Sequence, residues 1–289
     1  DKAIEGFKQL STEKDSMGQN SMYLLGDCYL RTNQKANARN AFQYSAYNNS
    51  NKLQQQISRF NYAKLSYELG YQDIALNEMK KYLNDYPNSE YDTEAKEILV
   101  SLMANTNNFA DALQLYESFD KPTASMQKVY PRILYGRAVE LINDQQIKRG
   151  DDLLTKVLAL PNSAVTPYAN FWKGEIAYRN KEYDNAIKYL SFYMLANVPA
   201  QGEANKNTAN YDLGYSWLQK ENYNKALGYF EQITKTVSVT SSAMEQDAYV
   251  RSADCYFMAS DFAKANTMYD NVINNALPQS DYAMFQKSS

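Results

Sequence analysis

Tyr211-Asp-Leu-Gly214-Tyr-Ser-Trp217-Leu-Gln-Lys-Glu-Asn-Tyr223-Asn-Lys-Ala226-Leu-Gly-Tyr-Phe230 reads as two helical segments joined by a polar turn at Lys220 to Asn222. Gly214, Trp217, Tyr223, Ala226 and Phe230 alternate small and large side chains at helical spacing. A small residue lets two helix axes come close, and a large one fills the groove beside it. The stretch is therefore expected to fold as an antiparallel helical hairpin.

The same order of small and large residues returns along the chain. It recurs as Ala253, Tyr256, Phe262, Ala265 and Tyr269, and near the start as Gly26, Tyr29, Ala38 and Phe42. Looser copies run from Tyr67 through Tyr71 to Ala75 and Met79, from Phe109 and Ala112 to Tyr116, and from Gly174 through Tyr178 and Tyr183 to Ala186 and Leu190. The second-helix alanines Ala3, Ala38, Ala75, Ala112, Ala186, Ala226 and Ala265 are separated by 35, 37, 37, 74, 40 and 39 residues. A fixed period of this size is the mark of a stacked repeat architecture. The double step hides a divergent unit from Tyr130-Pro-Arg-Ile-Leu-Tyr-Gly136 to Gly150-Asp-Asp-Leu-Leu154, in which the marker alanine is missing.

The pattern resembles the tetratricopeptide repeat family in its bacterial cell-envelope style, over nearly the whole chain. The resemblance implies an all-α fold, a right-handed superhelix (α-solenoid) of antiparallel hairpins, with more than about 70% helix and essentially no sheet. Expected is one solenoid over 1–289: a leftover second helix at 1–12, about six complete hairpins from about 17 to 277, and the opening of a further hairpin or a tail at 280–289. Lys81-Tyr-Leu-Asn-Asp-Tyr-Pro87-Asn-Ser-Glu-Tyr-Asp-Thr-Glu-Ala95 is similar to inter-repeat links of bacterial outer-membrane assembly and cell-division coordination proteins. There Pro87 is expected to end one helix and Asn88 or Ser89 to cap the next. Leu160-Pro-Asn-Ser163 repeats this punctuation. Asn197 to Glu203 and Thr236 to Ser242 are longer links, expected to serve spacing rather than binding.

In the family's geometry first helices line the concave face. Carried over, this points Tyr23, Asp27 and Arg31 inward in the first hairpin, Phe171, Glu175 and Arg179 in the fifth, Tyr211, Tyr215 and Gln219 in the sixth, and Asp254 and Met258 in the seventh. Phe171, Tyr211 and Tyr215 are the expected centre of a partner site, because aromatic rings bring contact area at small torsional cost. The paired lysines and asparagines with which some relatives clamp a terminal carboxylate are not found on this face.

Residue chemistry narrows the function further. With no histidine, nucleophile systems built on Ser-His-Asp or Cys-His are impossible, as are histidine metal ligands. Cys28 and Cys255 have no nearby partner, and no glycine-rich phosphate loop occurs. Asp151 with Asp152, and Glu94 with Glu97, read as solvated helix-surface acids rather than an acid and base facing across a cleft. No catalytic, cofactor-binding or metal site is expected, and so no enzyme. A formal charge of −3, from 30 basic against 33 acidic residues, offers no field for nucleic acid, and the 26 tyrosines lack the positive groove of a stacking platform. About half of them, including Tyr29, Tyr67, Tyr183, Tyr223, Tyr256 and Tyr269, fall on repeat-core positions.

What is left is a non-catalytic protein-protein interaction scaffold that binds a protein or peptide, with no nucleic acid and no direct membrane insertion. The alternatives are a sensory or regulatory arm of a larger envelope enzyme and a glycan-handling envelope component. The Tyr-Pro-Asn-Ser punctuation and the abundance of Asn and Tyr favour a bacterial periplasmic or outer-membrane-associated location over the cytoplasm. The chain starts and ends inside helical patterns, as expected of a processed protein or a piece of a longer one with linked domains.

Overall fold

The computed structural model describes residues 2–10 and 16–289. It is 76% helical, and among the described residues there is no strand, only an isolated bridge between Gln201 and Ala204. The chain divides into two compact units, Asp1–Arg137 and Ala138–Ser289. The first holds α1 (Lys2–Leu10), α2 (Ser16–Arg31), α3 (Lys35–Ala46), α4 (Lys52–Glu68), α5 (Gln72–Asp85), α6 (Asp92–Asn105) and α7 (Phe109–Glu117). The division falls within α8 (Ala124–Asn143). The second unit continues with α9 (Ile147–Ala159), α10 (Thr166–Arg179), α11 (Tyr183–Ala196), α12 (Lys206–Gln219), α13 (Tyr223–Ile233), α14 (Ala243–Met258), α15 (Phe262–Asn274) and α16 (Ser280–Ser288). In each unit consecutive helices pack on one another, as in a stack of hairpins.

One turn geometry joins the two helices of every hairpin. Asn33, Gly70, Asn107, Gln145, Lys181, Glu221 and Ser260 all take left-handed backbone conformation, with φ between 56° and 85°. The next amide reaches back five residues: Gln34 to Tyr29, Tyr71 to Ser66, Asn108 to Met103, Gln146 to Leu141, Glu182 to Ala177, Asn222 to Trp217 and Asp261 to Tyr256. This is the helix-ending motif that satisfies carbonyls of the last turn and redirects the chain. Seven turns mean seven complete hairpins among the described residues, where the alanine spacing suggested about six.

The unit without a marker alanine explains its own gap. Gly150 takes the marker position, and a Cβ there would lie 2.7 Å from Ile142 Cγ1 and 2.9 Å from the Ala138 carbonyl oxygen. The helices α8 and α9 approach even more closely than an alanine allows. Helix α8 also starts at Ala124 and not near Tyr130, carrying Pro131 in its interior.

The cores are aromatic. In the first unit Phe60, Met79, Tyr82, Leu102 and Met126 are buried, with Phe60 stacked on Tyr91 at 4.4 Å. In the second, Phe230, Tyr249, Val250 and Tyr269 are buried. Of the tyrosines expected at core positions, Tyr29 and Tyr269 are buried, while Tyr67, Tyr183, Tyr223 and Tyr256 are half-buried with part of the ring at an edge. Such rings supply apolar area to the groove while their hydroxyls remain available for hydrogen bonds.

Two local expectations need correction. Neither Asn88 nor Ser89 caps α6: its N-cap is Tyr91, without a side-chain bond. Asn88 instead takes a left-handed conformation (φ 61°), and Ser89 Oγ accepts the Tyr91 amide while pairing with Tyr82 Oη at 2.9 Å. Of the leftover helix expected over 1–12, α1 covers Lys2–Leu10, and 11–12 lie outside the described residues. The Thr236 to Ser242 link ends in a reciprocal capping box between Ser242 and Glu245.

Candidate functional site

In the second unit the first helices of successive hairpins, α10, α12 and α14, carry charged residues at buried or half-buried positions where a helical stack ordinarily places apolar ones. Glu175 on α10 and Asp212 on α12 are 8% and 3% exposed. Glu175 Oε1 accepts from Arg179 Nε at 2.7 Å, one turn on. Glu175 Oε2 and Asp212 Oδ2 are buried with no hydrogen-bond partner, and the two carboxyl groups stand beside one another. Burial, and then the Glu175 carboxylate beside it, push the Asp212 carboxyl far above the usual carboxylate range. Arg179 pulls weakly the other way. Its guanidinium also stands 3.7 Å from Glu203.

A second cluster links α12 to α14 and α16. Tyr211 Oη donates to Asp247 Oδ2 at 2.8 Å, and Tyr215 Oη donates to the same oxygen. Arg251 lies between Asp247 (3.6 Å) and Asp254 (2.7 Å). Asp254 accepts from Tyr282 Oη at 2.9 Å and from Tyr269 Oη at 2.5 Å, and Arg251 stacks on the Tyr282 ring at 4.9 Å. Burial first, and then the bond to Asp247, raise the Tyr211 hydroxyl to about 12. Burial raises Asp254 as well, in spite of Arg251. Each carboxylate or guanidinium thus ties side chains from neighbouring helices into fixed positions.

The expected site residues separate by what they can offer a partner. Phe171 is fully buried, packed edge-on against Trp172 at 5.4 Å and Tyr193 at 5.3 Å, so its expected role as an exposed anchor is corrected to a core role. The inward step of α10 that was expected to expose it instead points it between α10 and α11. Glu175 is likewise interior. Tyr211 and Tyr215 are half-buried, with rings edge-on to Phe230 at 6.4 and 5.3 Å and hydroxyls already committed to Asp247. Asp254 is half-buried within the second cluster. Arg179, Gln219 and Met258 are exposed, Met258 by 52%. In the first unit Tyr23 is half-buried edge-on to Phe42, and half-buried Asp27 pairs with exposed Arg31 at 2.8 Å.

Asp212, Asp247, Arg251 and Tyr282 were missed from the sequence. Asp212 sits directly between Tyr211 and the buried Leu213 in the repeat's best copy, and a charged residue so placed was the available signal. Cys28 is half-buried in the first unit. Cys255 is buried in the second, its thiol raised to about 12 by burial and then by Asp254.

Tetratricopeptide repeat family models match residues 135–192 and, with a second model, 20–48 and 247–280. No curated protein matches in sequence. Among solved structures, the chain is similar to pilF of Pseudomonas aeruginosa (13% identity, TM-score 0.41, covering 79% of this chain and 95% of that one). It is also similar to the C-terminal part of a TPR repeat-containing protein from Cytophaga hutchinsonii (16%, 0.46, 91% and 98%) and to a tetratricopeptide repeat protein from Parabacteroides merdae (10%, 0.38, 93% and 97%). With family matches in both units and hairpin turns 36 to 40 residues apart, this chain is a tetratricopeptide repeat protein.

Proposed function

We propose that this protein is a non-catalytic scaffold that binds a protein partner on the face made by the first helices of its second unit, the concave face in the family's geometry. The observation that supports this reading is the pair of ionic clusters, buried Glu175 and Asp212 with Arg179 at their exposed edge, and half-buried Asp247–Arg251–Asp254. Buried ion pairs add little to stability compared with apolar residues of the same volume. What they do provide is fixed side-chain geometry, and a surface already ordered before binding loses less entropy when a partner arrives. Arg179, at the edge of the first cluster, and Gln219 and Met258 stand exposed and offer a cation, an amide and a flexible apolar chain to the partner. The partner is accordingly a folded edge or extended segment of mixed polarity, met across several hairpins.

The test is affinity capture from native cells with the wild-type chain and with a Gln219→Arg, Met258→Glu double variant. One saturable partner that the variant loses supports this face; a partner held equally by both removes it. We further propose that the protein works in the envelope of a bacterium, supported by the Tyr86-Pro-Asn-Ser89 punctuation. Fractionation that finds the full-length native protein only in the cytosol sinks that assignment.

A further inference from the structure

The second helices of successive hairpins leave grooves between them, floored by the first helix in between, and two of these in the second unit occupy equivalent repeat positions. One, of about 380 Å³, lies along α13 and α15, lined by Thr234, Lys264, Thr267 and Met268 among others. The other, of about 520 Å³, lies along α11 and α13, where Met194, Lys225, Gly228 and Tyr229 take the corresponding places. The two hairpins differ at the repeat position that floors the larger groove. In the seventh hairpin it is Tyr249, a buried ring whose Oη accepts from Asn271 Nδ2 at 2.9 Å. In the sixth hairpin, 39 residues earlier, it is Asn210. A short amide stands where the next repeat places a phenol, and Gly228 adds no side chain above it: a Cβ there meets nothing within 4 Å.

Asn210 is 5% exposed, and its Oδ1 is buried with no hydrogen-bond partner in the protein. A buried acceptor left without a donor carries a penalty of about 1–3 kcal/mol, and native proteins leave few such groups. The floor of this groove therefore presents an unsatisfied acceptor below a ring-sized space walled by Met194 and Tyr229. Its rim is cationic. Lys206 and Lys225 both line it, no carboxylate does, and neither lysine has a carboxylate partner among the described residues. Lys206 Nζ is held by Asn197 Oδ1, and Lys225 Nζ lies over the Trp217 ring at 4.0 Å, so both charges are positioned yet not neutralised.

We propose that this groove takes a tyrosine side chain from an acidic segment of a partner protein. The ring enters the groove from solvent, and its hydroxyl donates to Asn210 Oδ1. Carboxylates flanking the tyrosine meet Lys206 and Lys225. Gln232, at the position equivalent to Asn271, lines the mouth and hydrogen-bonds the partner's backbone. The inference goes beyond the first-helix reading, because it uses the groove that α12 floors between the second helices α11 and α13 and none of the exposed residues Arg179, Gln219 and Met258, and it stands whether or not those bind.

The probe is a capped pentapeptide with a central tyrosine between two acidic residues on either side, titrated into the whole chain by calorimetry and by amide chemical shifts. Saturable binding is expected, with shifts centred on α11, the start of α12 and α13. The phenylalanine version should bind about tenfold more weakly, the loss of one hydrogen bond to a buried acceptor. Binding should weaken as salt rises, and a peptide with basic flanks should not bind. Asn210→Tyr, which copies the next repeat, should abolish binding and leave the melting temperature unchanged or higher. Gly228→Leu, which closes the groove from above, serves as the second filling variant should the first misfold. Met258→Glu, on the first-helix face, should leave the peptide's affinity unaltered, which separates failure here from failure of that reading. Equal affinity for the tyrosine and phenylalanine peptides, undiminished binding by a folded filling variant, or shifts of these same amides by maltohexaose and not by the peptide would each overturn the proposal.

Discussion

Asp212 and Tyr215 lie three residues apart on one helix and make opposite demands on the fold. Asp212 is a carboxyl that the folded protein keeps protonated, since burial and the Glu175 carboxylate raise it well above its unfolded value of about 3.9. The folded state thus binds one proton more than the unfolded state at every pH between those two values. Stability from this group is fully present below about pH 4 and is lost steadily as pH rises towards the folded value. Each pH unit across that window costs about 1.4 kcal/mol. Asp212→Asn keeps the shape but has no proton to lose. Its melting temperature should exceed that of the wild type at pH 8 and approach it at pH 4; melts that run parallel across this range would show that the proton is not held at Asp212. Tyr215, by contrast, spends its hydroxyl on Asp247 and its ring on Phe230. Tyr215→Phe should cost about 1 kcal/mol, one hydrogen bond. Tyr215→Ala should cost about 3–5 kcal/mol, a cavity plus lost packing. An alanine variant that melts with the wild type would return Tyr215 to the list of free anchors.

At the scale of the helix and its turn, the hairpins share one feature that side-chain patterns did not disclose. Their turns require positive φ, yet the residues there are Asn33, Gly70, Asn107, Gln145, Lys181, Glu221 and Ser260, and only one is glycine. The sequence signalled each turn by polarity and by the break in helical spacing, which is why the hairpins were legible. The conformation was not, because the backbone hydrogen bonds over five residues impose it on side chains that disfavour it. Gly70 isolates this effect, since a Cβ there would meet nothing within 4 Å. Gly70→Ala should therefore lower stability by about 1 kcal/mol through backbone strain alone. Lys181→Gly should act in the opposite direction at the equivalent turn, by a smaller amount because glycine also loses more freedom on folding. Urea melts of the two variants check this, and an alanine at position 70 that is neutral would show that the turn is not held by its backbone bonds. The missing marker alanine belongs to this scale too: Gly150 does the same work of close approach and was readable as a smaller substitute.

Across the whole molecule, repetition made the fold legible and left the site obscure, for the same physical reason. Core positions recur, so that Ala226 and Ala265, or Phe230 and Tyr269, support one another as evidence. Functional positions are the ones at which repeats differ, as Asn210 differs from Tyr249 and Asp212 from Arg251, and a difference has no second copy to confirm it. Phe171 shows the corresponding error. A position inferred to face inward from the family's geometry was turned into the core by the packing of Trp172 and Tyr193, which no spacing rule contains. Repetition also governs how the molecule comes apart. Within the second unit each hairpin packs chiefly on its sequence neighbours, α11 on α12 and α13 on α14. Damage in one hairpin should then spread to adjoining ones and fade with distance along the stack. Phe230 is fully buried and packs against the rings of Tyr211 and Tyr215, so Phe230→Ala should cost about 3–5 kcal/mol. Hydrogen exchange should show the largest loss of protection in α12 and α13, a smaller loss in α11 and α14, and the least in α9. The partner helices of the cavity lose packing directly, their neighbours lose only a supporting surface, and α9 is separated from the cavity by a complete hairpin. Uniform loss of protection from α9 to α16 would instead mean that this unit unfolds as one cooperative block, with the ionic clusters along its first helices binding the hairpins more tightly than their apolar contacts do.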